Sequence, residues 1–176
     1  MKKIVSYMMT GILLLSFLLT GCGSPEPQTG KKMSMYYINT AETKVEVHEQ
    51  YLNTKTLDEQ LDETMRYLST TPEKLEYKAP LDMGFHVLDY EVEDGKLLIN
   101  VDKAYSELSP TTEVLVRAAI VRTLTQLPGV KYVGITVEDS QLYDNAGELV
   151  GWMNADQFIN NDGNEINTYE LVKVKL

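Results

Sequence analysis

The alternation of apolar and polar residues predicts two strands and a helix in the first part of the folded chain. The β-prone runs Met33–Asn39 and Lys44–Leu52 predict two strands, or one strand and its return. A helix is predicted from Leu57 to about Ser69, because Thr56 and Glu59 have the spacing of a capping box. One face of this helix is apolar and carries Leu57, Leu61, Met65 and Leu68, whereas the other carries Asp58, Glu59, Asp62 and Glu63, which we interpret as a solvated face.

The middle of the chain predicts a hairpin, a buried helix and a strand. Two strand-like runs, Phe85–Glu93 and Lys96–Asp102, are joined by Asp94-Gly95, a dipeptide that favours the positive φ angles of a two-residue turn. Ser109-Pro110 has the pattern of a helix start, and the helix is expected to end at Pro128-Gly129. Apolar residues lie nearly all round this helix, which predicts deep burial. A strand follows over Val130–Glu138.

The last part of the chain predicts shorter elements. These are a turn at 144–147, a short helix over Asn154–Ile159, a turn at Asp162-Gly163 and a closing strand over Thr168–Leu176. The order β-α-β-β-α-β, followed by a β-rich C-terminal extension, predicts an α+β fold. We expect a two-layer sandwich in which two main helices cover one face of a mixed β-sheet.

The first residues are typical of an export signal rather than of a fold. Met1-Lys2-Lys3 is positively charged, and Ile4–Thr20 is almost wholly apolar but short for a membrane span. The apolar run ends in Leu19-Thr20-Gly21-Cys22, which resembles the lipobox of bacterial lipoproteins. That resemblance implies cleavage after Gly21 and a diacylglycerol-type lipid anchor, with palmitate, on Cys22. The alternative is a transmembrane anchor that happens to contain a cysteine.

This interpretation divides the chain into a signal peptide (1–21), a flexible tether (22–32) and one domain (33–176). The tether is rich in proline, glycine and serine and spans up to ~30 Å. Loss of residues 1–21 removes two lysines and no acidic residue, so the formal net charge changes from −10 to −12. A chain this acidic repels nucleic acid and anionic lipid, which argues against binding to either of them. Cys22 is the only cysteine, so no disulfide is expected within the chain.

Three consecutive segments resemble the GerMN domain of sporulation and spore-germination lipoproteins from Firmicutes. They are the strand Gly95–Asp102, the helix segment Ile120–Thr125 and the turn and strand Leu127–Val133. The resemblance implies a single copy with a fold similar to the ring-building motif, a core over about 35–159 and a C-terminal extension over 160–176. It also implies a role in protein assembly on the outer face of the membrane and brings no catalytic residues. The chain departs from the family at Val137–Gln141, where many members have a glycine-containing tight turn.

The remaining polar residues predict no catalytic site, no metal site and no cofactor. His48 and His86 belong to no metal-binding spacing, and we assign both a structural role. The residues 158–165 fail the pattern of a calcium loop because Phe158 stands where an oxygen ligand is needed. We interpret Asp102 as a capping residue and Glu113 with Arg117 as a surface salt bridge. Trp152 is either a lid over the edge of the core or an exposed binding residue.

Three functions are therefore compatible with the sequence, and they differ in what they require. The favoured one is a non-enzymatic, lipid-anchored module at the extracytoplasmic face of the cell membrane. It would assemble with an envelope or sporulation-complex protein or with copies of itself. The second is a lipoprotein that binds a small ligand or a glycan, and its weakness is the short chain. The third is a cell-wall hydrolase, which only the location supports.

Overall fold

The computed structural model describes residues 30–71, 76–144 and 146–158, and its architecture is α+β, as the sequence predicts. Within these ranges two main helices accompany seven strands, which form two sheets. In chain order the described elements are β1 (Lys31–Asn39), β2 (Val45–Leu52), α1 (Leu57–Leu68), β3 (Tyr77–Lys78), β4 (Val87–Glu93), β5 (Lys96–Val101), a 3-10 helix (Lys103–Glu107), α2 (Pro110–Leu124), β6 (Tyr132–Val137), β7 (Ser140–Gln141) and a second 3-10 helix (Ala155–Gln157).

The first sheet has the order β2-β1-β3 and is antiparallel throughout. β1 and β2 form the predicted strand and return, paired from Lys31 opposite Leu52 to Ile38 opposite Val45. β1 begins at Lys31, so its first two residues fall inside the segment predicted as tether. Alternate residues of β1 are buried on the side that α1 covers, and these are Met33, Met35 and Tyr37.

Helix α1 begins as the sequence predicts. The Thr56 hydroxyl accepts a hydrogen bond from the Glu59 backbone N–H, and the Glu59 carboxylate accepts one from the Thr56 backbone N–H, so the capping box is complete. The predicted stripe is largely buried, but two polar residues between its members are buried as well. The Thr64 hydroxyl donates to the Gln60 carbonyl at 2.7 Å, and the Gln60 amide donates to the Thr54 carbonyl at 3.2 Å. The Thr64 hydroxyl and the Gln60 amide nitrogen are thus bonded within the helix or to the chain that precedes it, whereas the buried Gln60 Oε1 has no hydrogen-bond partner among the described residues.

The second sheet has the order β4-β5-β6-β7 and is mixed. The β4–β5 hairpin turns at Asp94 and Gly95, whose φ angles of 50° and 79° are those of the predicted two-residue turn. β5 and β6 are parallel and paired from Lys96 opposite Tyr132 to Val101 opposite Val137, with α2 as the crossover between them. A parallel neighbour needs such a crossover, because a tight turn can join only antiparallel strands.

Helix α2 is the centre of the core and explains why the strands divide into two sheets. Ten of its fifteen residues are buried, as the nearly continuous apolar sequence predicts. β3 pairs with only the last two residues of β1. Earlier along the same edge, β1 bonds to side chains at the end of this helix rather than to another described strand. The Gln126 side chain accepts from the Ser34 backbone N–H at 3.0 Å and donates to its carbonyl at 2.7 Å, and Thr123 accepts from the Tyr36 backbone N–H at 3.0 Å.

The pair Glu113–Arg117 corrects one prediction, since it lies in the interior instead of on the surface. Arg117 Nη2 donates to Glu113 Oε2 at 2.9 Å, Arg117 Nε lies 2.6 Å from Oε1, and the two side chains are 12% and 8% exposed. The fully buried Tyr105 donates its hydroxyl to the same carboxylate at 2.9 Å. Burial raises the pKa of Tyr105 well above its ordinary value. These three side chains form a buried polar cluster between the first 3-10 helix and α2.

Several predictions concern residues outside the described ranges. These are the signal peptide, most of the tether with Cys22, the turn at Asp162-Gly163 and the closing strand Thr168–Leu176. The short helix predicted over Asn154–Ile159 is present as the 3-10 helix Ala155–Gln157. Its first residue is capped by the Asn154 side chain, which accepts from the Asp156 backbone N–H at 3.1 Å.

Candidate functional site

The candidate site is the face of the second sheet that points away from α2. Val133 and Ile135 of β6 point into the core, so Gly134 and Thr136 between them face the other side. Pairing across the sheet places Leu98 beside Gly134 and Asn100 beside Thr136 on that same outer face. We call it the outer sheet face.

The segment that follows β7 crosses the outer sheet face and forms an apolar groove with it. The segment starts from β7 at the edge of the sheet and returns to the sheet where Met153 pairs with Val133 of β6. Between these points, the Val150 backbone N–H donates to the Leu142 carbonyl. The groove has a volume of about 220 Å³. The residues that line it are Leu98, Gly134, Ile135, Thr136, Gln141, Leu142, Leu149, Gly151 and Trp152.

Trp152 lies directly on Gly134, and the two residues depend on each other. A Cβ atom at position 134 would lie 2.8 Å from Cζ3 of the indole, which is closer than side-chain carbons approach. The ammonium group of Lys96 lies 5.4 Å from the centre of the indole ring, within the range of a cation–π contact. Trp152 remains 42% exposed. It therefore covers the sheet, as a lid would, and also offers apolar surface to a binding partner.

Exposed apolar side chains concentrate at the groove. Among the described residues six large apolar side chains are exposed, and four of them belong to the groove or border it. Isolated exposed apolar residues are ordinary on protein surfaces, whereas a contiguous patch marks a contact site. The four are Tyr132, which pairs with Lys96 on the outer sheet face, and Tyr143, Leu149 and Trp152 of the segment after β7.

The turn between β6 and β7 is held in an unusual conformation. Glu138 and Asp139 have φ angles of 48° and 63°, a region that residues other than glycine seldom adopt. The buried Asn100 side chain donates to the Asp139 carboxylate at 2.7 Å and accepts from the Asp139 backbone N–H at 3.0 Å. This contact explains how the chain forms a tight turn at Val137–Gln141 without the glycine that the family resemblance leads us to expect there.

Acidic residues line the outer sheet face along β4. Asp89, Glu91 and Glu93 pair with Asn100, Leu98 and Lys96, so all three share the face of the groove, and all three are exposed. Asp89 also accepts from the second N–H of the Asn100 amide at 3.1 Å. We call these three residues the acidic row.

The two histidines make separate contacts, His48 on β2 and His86 just before β4. The ring of His48 meets that of Tyr37 edge-on, with centroids 6.5 Å apart. His86 is exposed, and its Nδ1 lies 2.8 Å from Oδ2 of Asp102. Asp102 also caps the first 3-10 helix, as predicted, by accepting from the Ala104 backbone N–H at 3.1 Å. The hydrogen bond with His86 holds the pKa of Asp102 below its ordinary value.

Within residues 30–71, 76–144 and 146–158, histidine, cysteine and acidic side chains form no group of three that could hold a metal ion. In the same part of the chain, no helix has the length and apolar character needed to cross a membrane.

Comparisons with known proteins identify the family. The tandem GerMN domains of the sporulation protein GerM from Bacillus subtilis match 77% of this chain at 18% identity with a TM-score of 0.51. This chain spans about half of that structure, 49% of its length. The first GerMN domain of the same protein matches 69% of this chain at 14% identity with a TM-score of 0.53, over 94% of its own length. At these identities the likeness shows the fold.

No curated protein matches the sequence significantly. Residues 34–143, well over half of the chain, match the family model named Germane, which is described as sporulation and spore germination. The matched range contains both main helices and, except for the first three residues of β1, both sheets of the described structure. The chain therefore belongs to the Germane family of sporulation and spore germination.

Proposed function

We propose that this protein is a non-enzymatic assembly module, held by lipid at the outer face of the cell membrane, and that its groove docks on another extracytoplasmic protein. The observation that carries the proposal is the concentration of exposed apolar side chains around the groove. Tryptophan and tyrosine are the residues most often found at the energetic centre of protein interfaces. Trp152 is pre-positioned by its contact with Gly134, so it loses little freedom on binding.

The shape of the groove favours a protein partner over a small ligand. At about 220 Å³ the groove is smaller than the pockets of roughly 300 to 1,000 Å³ that usually enclose small molecules. Its lining is apolar apart from Thr136 and Gln141, and it lies open on a sheet face. One apolar side chain of a partner would fill it, while the partner's backbone would rest on the surrounding segment. The family match supports a context of sporulation or germination.

Photo-crosslinking tests the docking surface. A photoreactive phenylalanine analogue at Leu149, in the groove, is expected to capture a defined envelope or sporulation protein, or a second copy of this chain, in the native host. Val47 on β2 is the matched control position, since its exposure of 52% nearly equals the 53% of Leu149. We expect no capture from Val47. Equal capture from both positions, or none from Leu149, would contradict docking through the groove.

Replacement of Cys22 tests the anchor, which the resemblance of Leu19–Cys22 to a lipobox supports. The Cys22→Ala chain is expected to remain unprocessed or to be released, because the thiol that takes the lipid is gone. Two acyl chains are enough for stable membrane attachment, so Cys22→Ala chains that have lost the signal peptide are expected to leave the membrane fraction almost completely, and any that stay there are expected to keep the signal peptide. Mass spectrometry of the N-terminal peptide of the unchanged chain is expected to show the lipid on Cys22. Ser24→Ala is the control and leaves processing intact, whereas a processed, membrane-bound Cys22→Ala chain would overturn the anchor.

A further inference from the structure

The acidic row borders the groove on one side. Glu91 of that row lies directly across from Leu98, which lines the groove. Leu98 in turn lies beside Gly134, the residue on which Trp152 rests. Residues paired directly on one face of a sheet have Cβ atoms about 4.5 to 5.5 Å apart. The Glu91 carboxylate is therefore within reach of any segment that fills the groove.

Little positive charge on this face offsets the acidic row. Among the described residues that strand pairing places on the outer sheet face, the only basic one is Lys96. Lys96 lies over the Trp152 indole and directly opposite Glu93, so it offsets that carboxylate. Asp89 is held by a hydrogen bond to a side chain of β5. Glu91 is exposed and belongs to none of the ion pairs formed by the described residues.

The charge of the chain disfavours a second copy of itself as the occupant of the groove. Each copy carries 26 acidic and 16 basic side chains, a formal net charge of −10, so self-docking brings two acidic proteins together. Like charges that meet across an interface slow association and weaken binding. Surfaces of anionic lipid are repelled for the same reason. The charges at the border of the groove therefore favour a different protein whose docking segment is basic.

We infer that the groove takes a segment of a different protein in which an apolar side chain fills the groove and a nearby lysine or arginine binds Glu91. This inference rests on the docking function proposed above and names the chemistry of the partner. Glu91 lies two strand spacings, ~10 Å, from Gly134. Two residues of an extended segment, or four residues of a helix, cover about 6 to 7 Å of this distance. The length of the basic side chain covers the rest.

The two parts of this surface have different roles. Apolar contact with Trp152 supplies most of the binding free energy, because buried aromatic residues dominate protein interfaces. A charge at the border of an interface acts mainly on the rate of association and on the choice of partner. Glu91 is therefore a specificity-determining residue, which disfavours acidic segments that would otherwise fit the groove equally well.

Charge reversal tests the inference in the native host, with the photoreactive residue at position 149 and with membrane levels matched. The Glu91→Lys, Glu93→Gln chain is expected to capture the partner at least about tenfold less than the unchanged chain. The control is Glu76→Lys with Glu107→Gln, which makes the same change in net charge at two exposed residues outside the second sheet. It is expected to keep capture intact.

Two further measurements accompany the capture experiment. Trp152 emission is expected to be the same in all three chains, which checks that the groove is intact. Mass spectrometry of the captured peptide is expected to find a lysine or arginine within four residues of the crosslinked position. Replacing that basic residue by glutamate in the partner is expected to restore capture by the Glu91→Lys, Glu93→Gln chain.

The outcomes separate this inference from the docking function itself. Capture that survives reversal at Glu91, an equal loss in the control chain, or no rescue by the exchanged partner overturns the basic partner and leaves docking through the groove standing. A captured peptide without a nearby basic residue, or one from a second copy of this chain, does the same. An absence of capture from the unchanged chain contradicts docking and this inference together.

Discussion

Replacing Arg117 by methionine is expected to lower the free energy of unfolding by about 3 to 5 kcal/mol, the usual cost of removing one member of a buried ion pair. Methionine fills a similar volume, so the loss comes from charge rather than from a cavity. The Glu113 carboxylate would keep only the Tyr105 hydroxyl as a partner, in an interior that excludes water. Denaturant unfolding followed by circular dichroism measures the change.

A double-mutant cycle gives the control for this prediction. Glu113→Gln removes the negative charge while keeping an acceptor for Tyr105, so adding it to Arg117→Met is expected to recover part of the lost stability. Lys103→Met, at an exposed lysine, is expected to change stability by less than about 0.5 kcal/mol. The expected loss in the free energy of unfolding is ~3 to 5 kcal/mol. A loss of less than about 1 kcal/mol in Arg117→Met would mean that the pair is not buried as described.

Gly134→Ala is expected to displace Trp152 from the outer sheet face. The new Cβ would lie 2.8 and 2.9 Å from two carbons of the indole and 3.3 Å from Leu98 Cδ1, so the ring must move. Overpacking of this kind costs about 1 to 3 kcal/mol. Because Trp152 is the only tryptophan, its fluorescence reports the change directly: emission shifts to longer wavelength as the indole gains contact with water.

Leu88→Ala is the matched control for the glycine variant. Leu88 is an exposed apolar residue on β4 that does not line the groove, so its removal is expected to leave the emission of Trp152 unchanged. An unchanged emission spectrum in Gly134→Ala would mean that the indole does not rest on Gly134 in solution.

Local signals were sufficient to predict most elements. The capping box at Thr56, the Asp94-Gly95 turn and the Ser109-Pro110 helix start each depend on residues only a few positions apart, and all three are present as predicted. Helix α2 ends earlier than predicted, at Leu124, because Thr125 to Val130 form successive turns instead. Such ends are set by competition between similar hydrogen bonds and are poorly marked in sequence.

The division into two sheets depends on contacts that no local pattern records. Gln126 and Ser34 are 92 residues apart, and a glutamine near a helix end has the same sequence signature whether it bonds to water or to a strand edge. The burial of Glu113 and Arg117 cannot be predicted from the sequence for a similar reason. Opposite charges four residues apart on a helix attract one another both on the surface and in the interior. Only the contacts of Tyr105 and Met153 with the pair show that it lies in the interior.

The groove could be predicted only in part. The sequence predicts that Trp152 is either a lid or a binding residue, and the structure shows the features of both. The role of Gly134 was not recognised, because a glycine inside a strand has several explanations and its partner is 18 residues later in the chain. Likewise, the tight turn at Glu138 and Asp139 depends on Asn100, which lies on a different strand.

The most direct test of the account combines the groove variant with crosslinking in the native host. The photoreactive residue at position 149 is introduced into the unchanged chain and into the Gly134→Ala chain, with membrane levels of both matched. If docking depends on the groove that Trp152 and Gly134 form, the captured partner is expected to disappear, or fall at least about tenfold, in the Gly134→Ala chain. Capture at the same yield in both chains, from a folded Gly134→Ala protein with a displaced indole, would contradict the central claim.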